Sequence, residues 1–219
     1  MMWRFVGVVG VLLLGGCLVP SGVEKEGDVG VGVGVNGDGT SRLDEAGVAR
    51  IKETGEVFFD VSDGQLLLSD VGLSVGDHVP DVSAEFLMDV VVRGPKGEVV
   101  AQTDYLRFLA YDGDPDIALI TYFLTAESGE ELVELVRYGL DNYRDSEEGM
   151  MLSTDNIEGR LEGILREPER PRRFETTIGY GPGFAIDYSV DYKGVGHVNV
   201  IIVGISPTVA SAEDWDAWD

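Results

Sequence analysis

Ser74 stands at the centre of Gly72-Leu73-Ser74-Val75-Gly76, a spacing in which a serine raised on a sharp strand-to-helix turn serves as an acyl-transfer nucleophile. His197 lies downstream with Asp187 and Asp191 between, so the order serine, carboxylate, histidine needed to relay the hydroxyl proton is present along the chain. That chemistry needs a helix directly after the serine. Asp77-His78-Val79-Pro80 follows instead, and both a proline and the residue before it resist helical conformation. In a chain with 30 glycines the pattern arises easily by chance, so an ordinary turn is expected at Ser74 and no catalytic residue is assigned. His78 and His197 are the only histidines; a metal site built on them needs both to converge with a carboxylate, and their spacing does not require it. Asp112, Asp114 and Asp116 are spaced like the start of a calcium loop, but Ile117 replaces its turn glycine and Phe123 its bidentate glutamate. A polar hairpin turn is expected there, and Asn36-Gly-Asp38-Gly-Thr40 is a weaker match still. No metal and no cofactor is expected.

Two clusters suit recognition better than catalysis. Arg166, Arg170, Arg172 and Arg173 place four cations within eight residues of an acidic chain; guanidinium groups take carboxylates and phosphates bidentately, so these are candidate partner contacts, weighed against a solvated loop that balances Glu167 and Glu169. Trp215 and Trp218 lie three apart among Glu213, Asp214, Asp216 and Asp219, a candidate acidic-aromatic docking motif for a basic partner, weighed against a terminal tail without fixed structure.

Charge limits the partners. Forty Asp and Glu against sixteen Lys and Arg give a net charge of −24, a field that repels nucleic acid and anionic headgroups. No nucleic acid is expected among the partners, and attachment to a membrane must be hydrophobic. The acidity fits either a salt-adapted organism or a composition that favours arginine over lysine.

Cys17 supplies the means of attachment. It is the single cysteine and follows Leu12-Leu13-Leu14-Gly15-Gly16. Arg4 forms a short positive region, Phe5 to Leu14 an apolar stretch of secretory length, and the two glycines give a peptidase access to the backbone. A spanning helix needs about 20 predominantly apolar residues, and Gly15, Gly16, Pro20 and Gly22 interrupt the second half of the uncharged run. Leu14-Gly15-Gly16-Cys17 resembles the lipobox of bacterial-type lipoprotein signal peptides, departing from that family in its single basic residue. The resemblance implies a signal peptide over 1–16 and a lipidated Cys17 that holds the mature chain on the extracytoplasmic face of the cell membrane. With no second cysteine, an intramolecular disulfide and a cysteine-based metal site are both excluded.

The elements that must position any site follow from patterning. Residues 17–41 read as a Gly-rich tether, spanning roughly 25 Å on average, and 42–207 as one acidic domain whose 44% hydrophobic content for the chain is ordinary for a globular protein. Arg42 to Thr54 suggests a short helix weakened by Gly47. Glu56–Val61 and Gln65–Val71 flank Asp63-Gly64 as a hairpin. Ala84–Arg93, Glu98–Thr103, Tyr105–Tyr111 and Ile117–Ala126 continue the strands, the last apolar on both faces and so expected to be central and covered twice. Ser128 and Glu131 form a capping box for a helix carrying Leu132, Leu135, Val136, Gly139, Leu140 and Tyr143 on one stripe. A second helix from near Asp155 presents Ile157, Leu161, Ile164 and Leu165. Arg173–Tyr180, Phe184–Tyr192 and His197–Ile205 are the final strands, and 208–219 is an acidic tail. The order predicts an α+β fold, mainly an antiparallel sheet of hairpins with two helices packed on it. The functional expectation is a lipid-anchored, non-catalytic binding or accessory module at the cell surface, taking a protein partner or small ligand; the alternatives are a cell-surface hydrolase using Ser74 or a carboxylate pair and a structural envelope component.

Overall fold

A computed structural model describes residues 34–37, 39–144 and 154–207, the side chains of 154–156 excepted. The fold is α+β and dominated by one seven-stranded sheet in the order β1-β2-β3-β4-β7-β6-β5. Its strands are β1 (Glu56–Asp60), β2 (Val82–Arg93), β3 (Glu98–Ala110), β4 (Ile117–Ala126), β5 (Arg172–Gly179), β6 (Ala185–Tyr192) and β7 (Asn199–Ser206). Neighbours run antiparallel except β1 and β2, which are parallel. Three α-helices accompany the sheet: α1 (Glu45–Thr54), α2 (Gly129–Tyr143) and α3 (Thr154–Arg166).

Each helix has a local cause. The carboxylate of Asp44 caps α1 by accepting from the Gly47 amide at 2.9 Å, and a hydrogen bond from Arg42 holds that carboxylate below its usual range. Gly47 costs helix propensity, yet a Cβ there would stand 2.1 Å from the Arg42 carbonyl oxygen; the chain can enter the helix at this angle only over a glycine. Ser128 caps α2 by accepting from the Glu131 amide at 3.0 Å, while the Glu131 carboxylate accepts from the Glu127 amide at 2.7 Å. Leu132, Val133, Val136, Gly139 and Tyr143 are buried along the inner face of α2. In α3, Ile157, Leu161 and Ile164 are buried, but Leu165 is 43% exposed, contrary to its expected place on the apolar stripe.

The strand expectations need three corrections. Asp63-Gly64 does turn, with the Gly64 amide on the Val61 carbonyl at 2.9 Å, but no hairpin follows. Beyond a single bridge from Leu67 to Asp116, Leu68–Val71 winds into a 3₁₀ turn; three-residue periodicity puts Leu68 and Val71 on one side, both buried. Second, the expected break near Asp104 is absent. Thr103 absorbs the irregularity, its hydroxyl donating to the Phe123 carbonyl at 3.1 Å and accepting from the Tyr105 amide at 3.3 Å, so that β3 continues as one strand. Third, the packed domain starts before Arg42: Val35 bridges Ser41, Thr40 and Ser41 are buried, and the Ser41 amide donates to the Phe58 carbonyl at 2.7 Å.

Alternation decides where the core lies. On one side of β4, β7 and β6, register sets Ile120, Ile205 and Ile186 in one row, Tyr122, Val203 and Tyr188 in the next, and Leu124, Ile201 and Val190 in a third; all but the partly buried Leu124 are at most 2% exposed. Helix α2 packs against β4, β5, β6 and β7 and against α3. Contact with the sheet is close: a Cβ on Gly139 would stand 2.6 Å from the Tyr188 hydroxyl. Burial raises Tyr188 and Tyr122 far above the ordinary phenol range and Tyr143 to about 12, so these tyrosines stay protonated as part of the core.

Candidate functional site

The other side of the same strands forms the candidate site. Here β4 departs from expectation: it is central, but its second face is half-exposed instead of covered. Register lays out three rows. Arg107, Thr121, Gly204, Asp187 and Thr177 make one. Phe123, Ile202, Ser189 and Glu175 make the next, with the Tyr105 ring 5.4 Å from that of Phe123. Thr125, Val200, Asp191 and Arg173 make the third. The face therefore mixes apolar side chains with threonine hydroxyls at β4 and β7 and becomes charged toward β5.

Gly204 makes the surface concave. A side chain there would cover the middle of the first row, and a Cβ would meet Leu119 Cδ1 at 3.3 Å. Without one, a groove of about 570 Å³ opens between Leu119, Thr121 and Ile202 on one side and Glu175, Thr177 and Asp187 on the other. The two sides of the open face differ in charge. On the β3 side, beyond the groove lining, Arg107 is neutralised by Asp81 at 3.3 Å, and the Tyr105 hydroxyl also donates to Asp81. The Tyr105 bond, followed by Arg107, holds the Asp81 carboxyl below the usual range against its desolvation. At the β5 rim, Asp187 accepts from the Thr177 hydroxyl at 2.6 Å, a neutral partner, and Glu175 has no side-chain partner among the described residues. The β3 side is balanced, while on the β5 side Glu175 and Asp187 make no ion pair among the described residues and Arg173 lies two residues along the strand from Glu175 on the same face.

The residues singled out from sequence are placed separately. Ser74 is exposed in a turn where its amide donates to Asp77 at 2.8 Å and its carbonyl accepts from the Asp77 amide at 3.0 Å. Asp187 is engaged with Thr177, Asp191 lies 4.0 Å from Lys193, and His197 is exposed; the geometry assembles no serine-histidine-carboxylate relay from them. His78 is exposed, and no group of three or more His, Cys, Asp or Glu with metal-holding geometry occurs among the described residues. Asp114 closes a turn by accepting from the Asp116 amide at 3.1 Å, with Gly113 at φ 80°.

The four arginines divide. Arg170 and Arg172 both bind Glu167, at 3.2 and 2.6 Å, and hydrogen bonding by Arg170 keeps that carboxyl low. Arg172 is only partly exposed, its guanidinium 3.0 Å from where a Cβ on Gly163 would stand. The side chains of Arg166 and Arg173 make no hydrogen bond or ion pair among the described residues, and alternation turns Arg173 onto the open face beside Asp191. Cys17, Trp215, Trp218 and Asp38 lie outside the described residues. No described helix is long and apolar enough to cross a membrane.

Leu119, Gly204 and Glu175 were missed as site residues by sequence reasoning. Gly204 carried a usable signal, since a glycine inside a strand marks a place where something approaches the backbone. Comparison of the chain with family models, with curated proteins and with solved structures finds no match.

Proposed function

We propose that this chain is a non-catalytic binding module, held on the extracytoplasmic face of the cell membrane by a lipid on Cys17, with the open face of β4, β7, β6 and β5 as its working surface. The support for a binding role is the half-exposed apolar stripe of Leu119, Phe123 and Ile202 around Gly204. Among the described residues, four strands covered on one side by α2 leave on the other a concave floor of apolar and hydroxyl side chains, and concave, largely apolar floors with a few polar groups are the usual form of a binding site. The support for anchoring is the Leu14-Gly15-Gly16-Cys17 signal together with an acidic chain that anionic membranes repel.

The test is capture by cross-linking from intact membranes, comparing the natural chain with Leu119→Asp and Ile202→Asp. The side chains are half-exposed, so the variants are expected to fold and to lose the cross-linked partner; a partner retained by both removes the open face from the reading. Cys17→Ser is expected to shift the protein out of the membrane fraction or leave it unprocessed. Full membrane retention of a processed Cys17→Ser chain would refute the lipid anchor.

A further inference from the structure

The two edges of the sheet are finished differently. At the β1 edge, the Ser41 amide donates to the Phe58 carbonyl at 2.7 Å, the Phe58 amide donates to the Ser41 hydroxyl at 3.0 Å, and the Asp60 amide donates to the Thr40 hydroxyl at 3.4 Å. The Thr40-Ser41 segment thus blocks addition of a further strand. At the β5 edge, the one bond to a backbone group from outside the β5–β6 ladder is local, from the Thr176 hydroxyl to the Thr177 carbonyl at 3.4 Å among the described residues. An unpaired edge is a template for an extended chain.

Side chains of β5 set what that chain must carry. Alternate residues of an added strand would stand beside Arg173, Glu175 and Thr177 on the open face. Among the described residues Glu175 has no side-chain partner, and Asp187 lies one strand further in, at the rim of the groove. A lysine or arginine opposite Glu175 would lay its aliphatic stem across the strand and present its cation to both carboxylates, in a molecule whose net charge of −24 already draws cations toward it. We infer that the open face takes an extended cationic polypeptide segment, which pairs with the free edge of β5 and places basic side chains over Glu175 and Asp187. This rests on the open face being the binding surface and specifies the class of partner.

The probe is a synthetic peptide alternating lysine with threonine and valine, with a glutamate-substituted peptide as control, titrated into the processed chain. Expected results are binding of the lysine peptide alone, slower hydrogen exchange at β5 amides in the complex, and at least about tenfold weaker binding to Glu175→Gln with Asp187→Asn. The double variant Glu53→Gln with Asp63→Asn removes the same charge from exposed positions elsewhere and is expected to bind as the natural chain does. Equal weakening in both double variants would assign binding to the diffuse field and overturn the inference, as would unchanged exchange in β5. Light scattering that shows two chains per particle without peptide would give the β5 edge to a second copy. Affinity raised manyfold by Trp215→Ala with Trp218→Ala would give it to the chain's own tail. Loss of binding in Gly204→Val with full binding in Glu175→Gln and Asp187→Asn keeps the open face as the surface and removes only the cationic partner.

Discussion

Ile201 and Ile202 are neighbours in β7 and differ in everything except chemistry. Ile201 is fully buried between Leu124 and Val190 beneath α2, whereas Ile202 is half-exposed between Phe123 and Ser189 on the open face. One isoleucine is held by the fold and the other is held out by it. The difference teaches that hydrophobicity in a strand is assigned to a purpose by what covers it, which alternation alone does not say. The direct way to break this comparison is to truncate both. Ile201→Ala is expected to cost about 2–5 kcal/mol through lost transfer energy and the cavity left behind, and Ile202→Ala less than about 1 kcal/mol. Denaturant melts of the two variants check it; equal losses would mean that the open face is packed like the core.

The same contrast separates what was legible in the sequence from what was not. Helix α2 was readable because its signals are local: Ser128 and Glu131 mark the start, and the stripe from Leu132 to Tyr143 marks the buried side. The β5–β6–β7 meander was readable because Ile186, Tyr188 and Val190 alternate cleanly with Asp187, Ser189 and Asp191. Lost to sequence reasoning were features settled by distant partners. Gln65–Val71 has the composition of a strand, yet β1 finds its partner in parallel with β2. The apolar residues of β4 face both ways, and no local signal says that only one side acquires a helix. For the site itself, Ser74 stands in an exposed turn as its sequence context predicts, while the groove depends on an absent side chain at Gly204. The arginine cluster was half legible: its spacing brought Arg170 and Arg172 to the same carboxylate, Glu167.

Alkali distinguishes the two sides by a different property. Tyr143 is raised to about 12, and burial raises Tyr122 and Tyr188 as well, against about 10 in the unfolded chain. Between those values the unfolded state has released protons that the native state keeps, so stability is fully present below about pH 10 and falls as pH rises toward about 12. Tyr105, on the open side, is raised chiefly by its bond to Asp81 and not by a covering helix. Tyr188→Phe is therefore expected to flatten the alkaline loss of stability measurably, and Tyr105→Phe to change it far less. Urea midpoints measured across that pH window decide the matter; a matching effect of the two substitutions would place the alkaline sensitivity outside the covered face.

The smallest expected change in stability is at Gly204, and it sharpens the comparison most. Glycine inside a strand is about 0.5–1 kcal/mol less favourable than alanine through chain entropy, and the backbone here does not adopt the positive φ that would reserve the position for glycine. Against that gain, the new methyl carbon would meet Leu119 Cδ1 at 3.3 Å, a contact that the end of a half-exposed leucine relieves by a small rotation. The two effects nearly cancel, so Gly204→Ala is expected to melt within about 0.5 kcal/mol of the natural chain. At Gly139, on the covered face, the corresponding methyl would meet a hydroxyl at 2.6 Å inside the packed layer, where overpacking costs about 1–3 kcal/mol. Binding is expected to invert the order. Gly204→Ala raises the groove floor where a ligand rests and weakens peptide binding, while Gly139→Ala leaves the affinity of the folded fraction unchanged. If Gly204→Ala instead destabilises the fold as much as Gly139→Ala does, then the glycine is there for packing, and the concavity is a by-product of the core and not a site.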